Sequence, residues 1–184
     1  MLNHNKLSVL PARLGRLSAL ESIEAQHNQL TDFVPPQQPF LPSLVHLDLS
    51  GNRITAIPKS VLFLPKLRTL LLSYNRISSL EQLWSPEVLP WLEILDVSNN
   101  QLSELSEGVW NKQKLNYLNV ENNNMGKLPT ILGFMPLLGL KVDGNPLKLI
   151  KRTVIDKGTV ALLDFLRNKH QGDPPVRASN LPVQ

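Results

Sequence analysis

The chain contains no cysteine, which excludes disulfides, thiolate metal sites and cysteine nucleophiles. Aromatic residues make up 5% of its 184 positions, so leucine, isoleucine and valine must supply the core. No Asn-X-Ser/Thr sequon occurs among its many asparagines. No apolar run reaches the roughly 18 residues needed to cross a bilayer. Asn3, His4, Lys6, Arg13 and Arg16 interrupt any signal-peptide core at the start. These absences point to a cytoplasmic protein, nuclear localisation being the other possibility, without membrane insertion. Charged residues are 18% and apolar residues 42%, too little charge and too much apolar surface for a disordered chain.

The net charge of +4 is confined to one end. Residues 1–144 carry 12 basic and 12 acidic side chains, and residues 145–184 carry seven basic and three acidic. A basic cap is therefore expected around Lys148, Lys151, Arg152, Arg167 and Lys169. Seven cations in 40 residues, with no aromatic interleaving, make a poor nucleic-acid surface, and a nucleic-acid partner is not expected.

What is present is a repeat. Leu44, Leu47, Leu49, Asn52 and Ile54 follow the spacing L-x-x-L-x-L-x-x-N-x-I, and the frame recurs at Leu20, Leu67, Leu92, Leu115 and Leu137, with a partial first copy at Leu2, Asn5 and Leu7. Its asparagines stand at 5, 28, 52, 75, 100, 123 and 145, at intervals of 22 to 25 residues. Leu47 and Leu49 alternate with His46, Asp48 and Ser50, the period of a short strand. Stacked copies predict a parallel sheet. The asparagine amides are expected to form a buried ladder that pairs backbone groups left open by the turn. Between strands, Leu7, Leu10, Leu14 and Leu17, or Ile54, Ile57, Val61 and Leu64, recur every three to four residues, as in a short helix or 3₁₀ segment. Pro11, Pro58 and Pro129 fall where such a segment begins.

This pattern resembles the leucine-rich repeat. The resemblance implies an α/β solenoid (a horseshoe) with a parallel concave sheet, about seven repeats of 22–25 residues and a helical C-terminal cap. The expected division is a solenoid over 1–147 with an incomplete first repeat, a cap over 148–170 containing a helix from Val160 to Lys169, and a flexible tail over 171–184. The cap residues Gly144-Asn145-Pro146-Leu147, Lys151-Arg152, Ile155, Lys157-Gly158-Thr159, Leu163 and Phe165-Leu166-Arg167 resemble the terminal cap of cytosolic leucine-rich-repeat proteins such as leucine-rich repeat-containing protein 40 and the plant Ras-group-related type. That likeness implies a scaffold or adaptor and names no partner. Val34 to Phe40, with three prolines, are expected to be an extended convex segment. Met1 to Asn5 begin inside a repeat and leave the first sheet edge open; an incomplete gene, a piece of a longer protein or an edge covered by a partner would each account for that, and a missing N-terminal part is the expectation.

In this architecture the non-leucine strand positions line the concave face. The expected partner-binding residues are Glu24, His46, Asp48, Leu71, Tyr74, Ile94, Asp96, Tyr117, Asn119, Glu121 and Lys141: an apolar centre at Leu71 and Ile94 with carboxylates around it, the form of a protein interface. The alternative for Asp48 and Asp96 is that they are ordinary fillers of the L-D-[LV]-S motif. A secondary patch is expected at Trp84 and Trp91, because exposed tryptophan is enriched at interfaces, with Arg53 and Arg76 as a basic step after the asparagine ladder.

Chemistry is thin. His4 and His27 are equivalent in adjacent repeats, but no third metal ligand accompanies them. His46, Asp48 and Ser50 share one strand and project side by side, which is poor triad geometry. Gly51 and Gly144 are isolated, so no phosphate loop exists. No catalytic residue, metal or cofactor is expected. The expected function is a non-catalytic protein-binding adaptor or scaffold. The competing expectations are an architectural subunit held by its ends, convex face and basic cap, and a regulatory subunit in a phosphatase or small-GTPase pathway.

Overall fold

A computed structural model describes residues 2–33 and 41–173. The expected extended segment Val34–Phe40, and residues 174–184 of the expected tail, lie outside the described residues. Six three-residue strands, β1 (Ser22–Glu24), β2 (His46–Asp48), β3 (Thr69–Leu71), β4 (Ile94–Asp96), β5 (Tyr117–Asn119) and β6 (Gly139–Lys141), form one open parallel sheet in sequence order. The register is uniform: Leu47, Leu70, Leu95, Leu118 and Leu140 stand in one row with Ile23. Each of β1 to β5 is followed by the same bond to the next copy, such as Ala25 N–H to Asp48 O at 2.9 Å and Leu72 N–H to Asp96 O at 2.8 Å. The partial first copy joins the array through Leu2 N–H to Glu24 O at 2.7 Å and His4 N–H to Gln26 O at 3.0 Å.

Each strand is too short to be stable alone. Its leucines are buried because each copy covers the next. Leu47, Leu49, Leu67, Leu70, Leu72, Leu95 and Leu118 are wholly inaccessible to solvent. The return segments contain 3₁₀ turns at Ala12–Arg16, Lys59–Phe63, Glu81–Leu83, Glu107–Asn111 and Thr130–Phe134. Of the two options left open by the three-to-four spacing, the 3₁₀ form is the one adopted. Pro11, Pro58 and Pro129 occupy the residue just before three of these turns, with φ between −67° and −58°. That is proline's own preferred angle, so each proline pre-sets the entry to its turn.

The asparagine ladder is the second structural device. Asn52 accepts the Leu30 amide at 3.0 Å and donates to Leu49 O at 2.8 Å in its own copy and to Ala25 O at 3.1 Å in the preceding one. Asn28, Asn75, Asn100, Asn123 and Asn145 repeat the arrangement. The residue before each of these asparagines is left-handed: His27, Gly51, Tyr74, Asn99, Asn122 and Gly144 have φ between 52° and 72°. The turn demands it, because the chain must swing the asparagine back beneath the strand it follows. At Gly51 a second constraint applies. A Cβ there would stand 2.6 Å from Nδ1 of His27, whose ring covers the glycine.

The C-terminal end is closed by α1 (Arg152–Ile155) and α2 (Thr159–Lys169). The helix expected from Val160 to Lys169 is present one residue longer. Leu162, Leu163 and Leu166 bury its inner face. Thr159 Oγ1 accepts the Leu140 amide at 3.0 Å, so the helix start also takes up an edge donor of β6. α2 crosses the turn Thr130–Phe134 at Gly133, where a Cβ would lie 2.4 Å from the Arg167 nitrogen. Only glycine lets the two backbones approach this closely.

Candidate functional site

The sheet register sets the predicted concave residues in rows. Glu24, Asp48, Leu71, Asp96, Asn119 and Lys141 are aligned across the six strands, and Ser22, His46, Thr69, Ile94, Tyr117 and Gly139 form the row before them. Parallel strands stand about 4.8 Å apart, so neighbours within a row are in side-chain contact range. Leu71 therefore lies between Asp48 and Asp96, and Ile94 between Thr69 and Tyr117. Glu24, His46, Asp48, Leu71, Ile94, Asp96 and Tyr117 are all half-buried, Glu121 likewise, and Lys141 is exposed. The Tyr117 ring lies across Gly139: a Cβ at that glycine would meet its Cδ2 at 2.4 Å. The aromatic face is thus laid flat over β6 and extends the apolar centre of Leu71 and Ile94.

The carboxylates of the face also serve the backbone. Asp48 Oδ1 accepts the Ser50 amide at 2.9 Å, Asp96 Oδ1 accepts the Ser98 amide at 2.9 Å, and Asn119 Oδ1 accepts the Glu121 amide at 3.0 Å. Asn119 is 8% exposed, and its amide donates to Asp96 Oδ2 at 3.1 Å. Asn119 thus orients Asp96 and closes the strand end, and it offers a partner little surface. Its neighbour Asp96 has one oxygen on Ser98 and the other on Asn119, while Asp48 Oδ2 has no hydrogen-bond partner among the described residues.

The structure separates the expected secondary patch. Trp84 is 3% exposed and belongs to the core, which corrects its assignment to a docking surface. It packs against Gly108 of the next copy, where a Cβ would lie 2.9 Å from the tryptophan Cβ. Trp91 is 47% exposed, with the Arg68 guanidinium 6.0 Å and the Lys114 ammonium 5.5 Å from its ring. Arg68 also pairs with Glu93. Trp91 precedes β4, whereas Arg53, Tyr74 and Arg76 follow the ends of their strands, so the two groups occupy opposite rims. Tyr74, 63% exposed, sits on the left-handed turn and lies beyond the concave rows.

In the cap, Arg152 reaches Asp143 at 2.8 Å and Asp156 at 2.9 Å, and Arg167 reaches Asp164 at 2.8 Å. Two of the five expected cap cations are therefore paired, and Lys148, Lys151 and Lys169 remain as exposed charge. His4 and His27 stack, ring centroids 4.5 Å apart. Among the described residues no group of three metal-type side chains comes together.

One residue escaped the sequence analysis. Lys112 is 3% exposed, and its ammonium donates to Ser85 O at 2.7 Å and to Val88 O. With Asn111, which donates to Trp84 O at 2.8 Å, it fastens the long loop of the fourth repeat. Burial pushes its pKa down to about 8, and nearby Glu87 opposes that shift. Its position carried the signal. It stands three residues before Leu115, where the other copies have Leu17, Leu41, Leu64, Leu89 and Phe134.

The family described as Leucine Rich repeats (2 copies) matches residues 42–83 and 65–111. Among curated proteins the chain is similar to the probable inactive serine/threonine-protein kinase roco10 of Dictyostelium discoideum, 29% identical over 130 residues. That match covers 67% of this chain and 4% of the relative. Among solved structures it is similar to a leucine-rich-repeat protein of Leptospira interrogans at 33% identity and a TM-score of 0.73, over 85% of this chain and 39% of that one. The leucine-rich effector YopM of Yersinia pestis is 26% identical with a TM-score of 0.59, over 77% of this chain and 36% of that one. An internalin of Listeria monocytogenes, 24% identical with a TM-score of 0.57 over 78% of this chain and 47% of that one, shares the fold.

Proposed function

We propose that this leucine-rich-repeat protein is a non-catalytic adaptor or scaffold that holds a protein partner on its concave sheet. The observation that carries the proposal is the composition of that face. Leu71, Ile94 and the flat ring of Tyr117 form a half-exposed apolar centre, and Glu24, Asp48, Asp96 and Glu121 surround it with negative charge. An apolar middle that excludes water and a polar rim that selects charge are the parts of a specific interface. The partner is accordingly basic at its edges with an apolar anchor at its middle. Repeat proteins use their extended inner surface in this way because the curvature of the stack makes it a continuous concave face. The kinship of the cap to leucine-rich repeat-containing protein 40 and the plant Ras-group-related type, an intracellular site of action, and the division into solenoid (1–147) and cap (148–170) belong to the same proposal.

The test is capture of partners from native lysate by the wild-type chain and by Glu24→Lys/Asp48→Asn/Glu121→Lys/Ile94→Ala. Asparagine at position 48 keeps an acceptor for the Ser50 amide, so the strand end stays closed. A specific set of proteins bound by the wild type and lost by a folded variant supports the concave site; an unchanged set contradicts it. A second contact surface is favoured at the exposed Trp91 with Arg68 and Lys114 beside it, and this would serve an architectural role at the strand-start rim.

A further inference from the structure

Where the last return segment meets the cap, the described residues line a cavity of about 320 Å³ to which no strand residue contributes. Buried Leu128, Ile150 and Leu166 and half-buried Phe165 make its floor, and exposed Lys127 and Lys169 stand at its mouth. We propose that this cavity binds a medium-chain carboxylic acid, with the hydrocarbon on the leucine, isoleucine and phenylalanine floor and the carboxylate at the two lysines.

Three observations converge on that chemistry. The volume lies at the lower end of the range of small-molecule sites, which are mostly apolar with a few polar groups that fix orientation. Both charged residues of the lining are cations. Neither is in an ion pair with a described residue, and the Lys169 ammonium stands 5.9 Å from the Phe165 ring, already drawn over the floor. The neutral polar groups are few: the Thr130 hydroxyl, which is bonded to His170 Nδ1 at 2.9 Å, and the Gln171 amide. A peptide entering the cavity would leave its backbone groups largely unpaired, a cost that an alkyl chain with one anionic head does not incur. Leu149, 78% exposed at the same lining, is the apolar side chain that such a chain would cover.

The experiment is calorimetric titration of the full chain with sodium decanoate, decanol and decyltrimethylammonium, below the concentrations at which each forms micelles. Amide shifts in isotope-labelled protein locate the contact. The expected result is saturable binding of decanoate, weaker binding of decanol, none of the cation, and shifts concentrated at Leu128, Ile150 and Phe165. Replacing Lys127 and Lys169 by methionine keeps the aliphatic stems and, both lysines being exposed, leaves the fold intact; decanoate should then bind at least about tenfold more weakly, the worth of one charge-assisted bond. Absence of decanoate binding, equal binding of all three amphiphiles, insensitivity to the lysine replacements, or shifts centred elsewhere would each overturn the proposal.

Discussion

Asn75 offers a quantitative test of what holds the array together. Its amide oxygen accepts the Ile54 N–H at 3.0 Å, and its nitrogen donates to Leu49 O and Leu72 O, each at 3.0 Å. The residue is 8% exposed, and Ile54 is wholly buried. In Asn75→Ala the Ile54 amide loses its partner with no water to replace it, a penalty of about 1–3 kcal/mol. The two carbonyls lose a donor each, at about 1 kcal/mol apiece. The sum is about 3–5 kcal/mol, a large part of the 5–15 kcal/mol that domains of this kind possess. Asn75→Asp retains the acceptor for Ile54 but sets its second oxygen against the Leu49 and Leu72 carbonyls, so it should cost at least as much as alanine where the carboxylate is charged and less where it is protonated and can donate. Asn124, exposed in the same class of turn, bonds through its backbone N–H to Leu102 O and through no side-chain atom to a described residue, and Asn124→Ala should stay within about 0.5 kcal/mol of wild type. Urea unfolding followed by circular dichroism gives all three values. An Asn75→Ala cost below about 1 kcal/mol, or one equal to that of Asn124→Ala, would refute the assignment of these bonds as the links between copies.

Three further outcomes follow from the same geometry. Gly51→Ala places a side chain at φ 65° and 2.6 Å from the His27 ring, so it should destabilise by more than the roughly 1 kcal/mol of left-handed strain alone, whereas Tyr74→Gly, in the equivalent turn, should be neutral or stabilising in the same unfolding assay. Gly133→Ala brings a Cβ against the α2 backbone and should cost about 1–3 kcal/mol, seen as selective loss of hydrogen-exchange protection in 159–169 with the strands still protected. Lys112 has a folded pKa of about 8, below its ordinary value of 10.5. Between those two pH values the unfolded chain holds a proton that the folded chain has released. Stability should therefore rise with pH across that window, by up to about 1.4 kcal/mol per unit, and Lys112→Met should abolish the rise.

Much of this molecule is legible in its sequence because one rule is written repeatedly. The spacing of Asn28, Asn52, Asn75, Asn100, Asn123 and Asn145 fixes the register of the strands, since each asparagine must reach the backbone of the preceding copy. The same frame gives the concave rows, which are simply the non-leucine strand positions. Trp84 and Trp91 show where the rule fails. Both lie in the irregular loop of the fourth repeat, where no period assigns a direction to a side chain, so their opposite fates, 3% and 47% exposed, depend on packing against Gly108 and beside Lys114. Lys112 was hidden for the opposite reason: its place in the frame is an apolar one, buried at Leu41, Leu64 and Leu89, but its charge suggests solvent. Asn119 occupies a concave position yet bonds inward to Asp96, a choice made by the neighbouring strand. The cavity beside α2 is composed of residues from three separated stretches, and only the docking of the helix unites them.

The central claim, that the concave sheet is the contact surface, is tested most directly by site-specific crosslinking in cells. A photoreactive amino acid is placed at Leu71, in the middle of the face, or at Phe63, 67% exposed on a return segment. The account predicts that irradiation at position 71 traps one discrete partner band, that the band is lost in the background of Glu24→Lys/Glu121→Lys, and that position 63 traps none of it. The same band from position 63 with nothing from position 71 would contradict the account and move the contact to the outer surface.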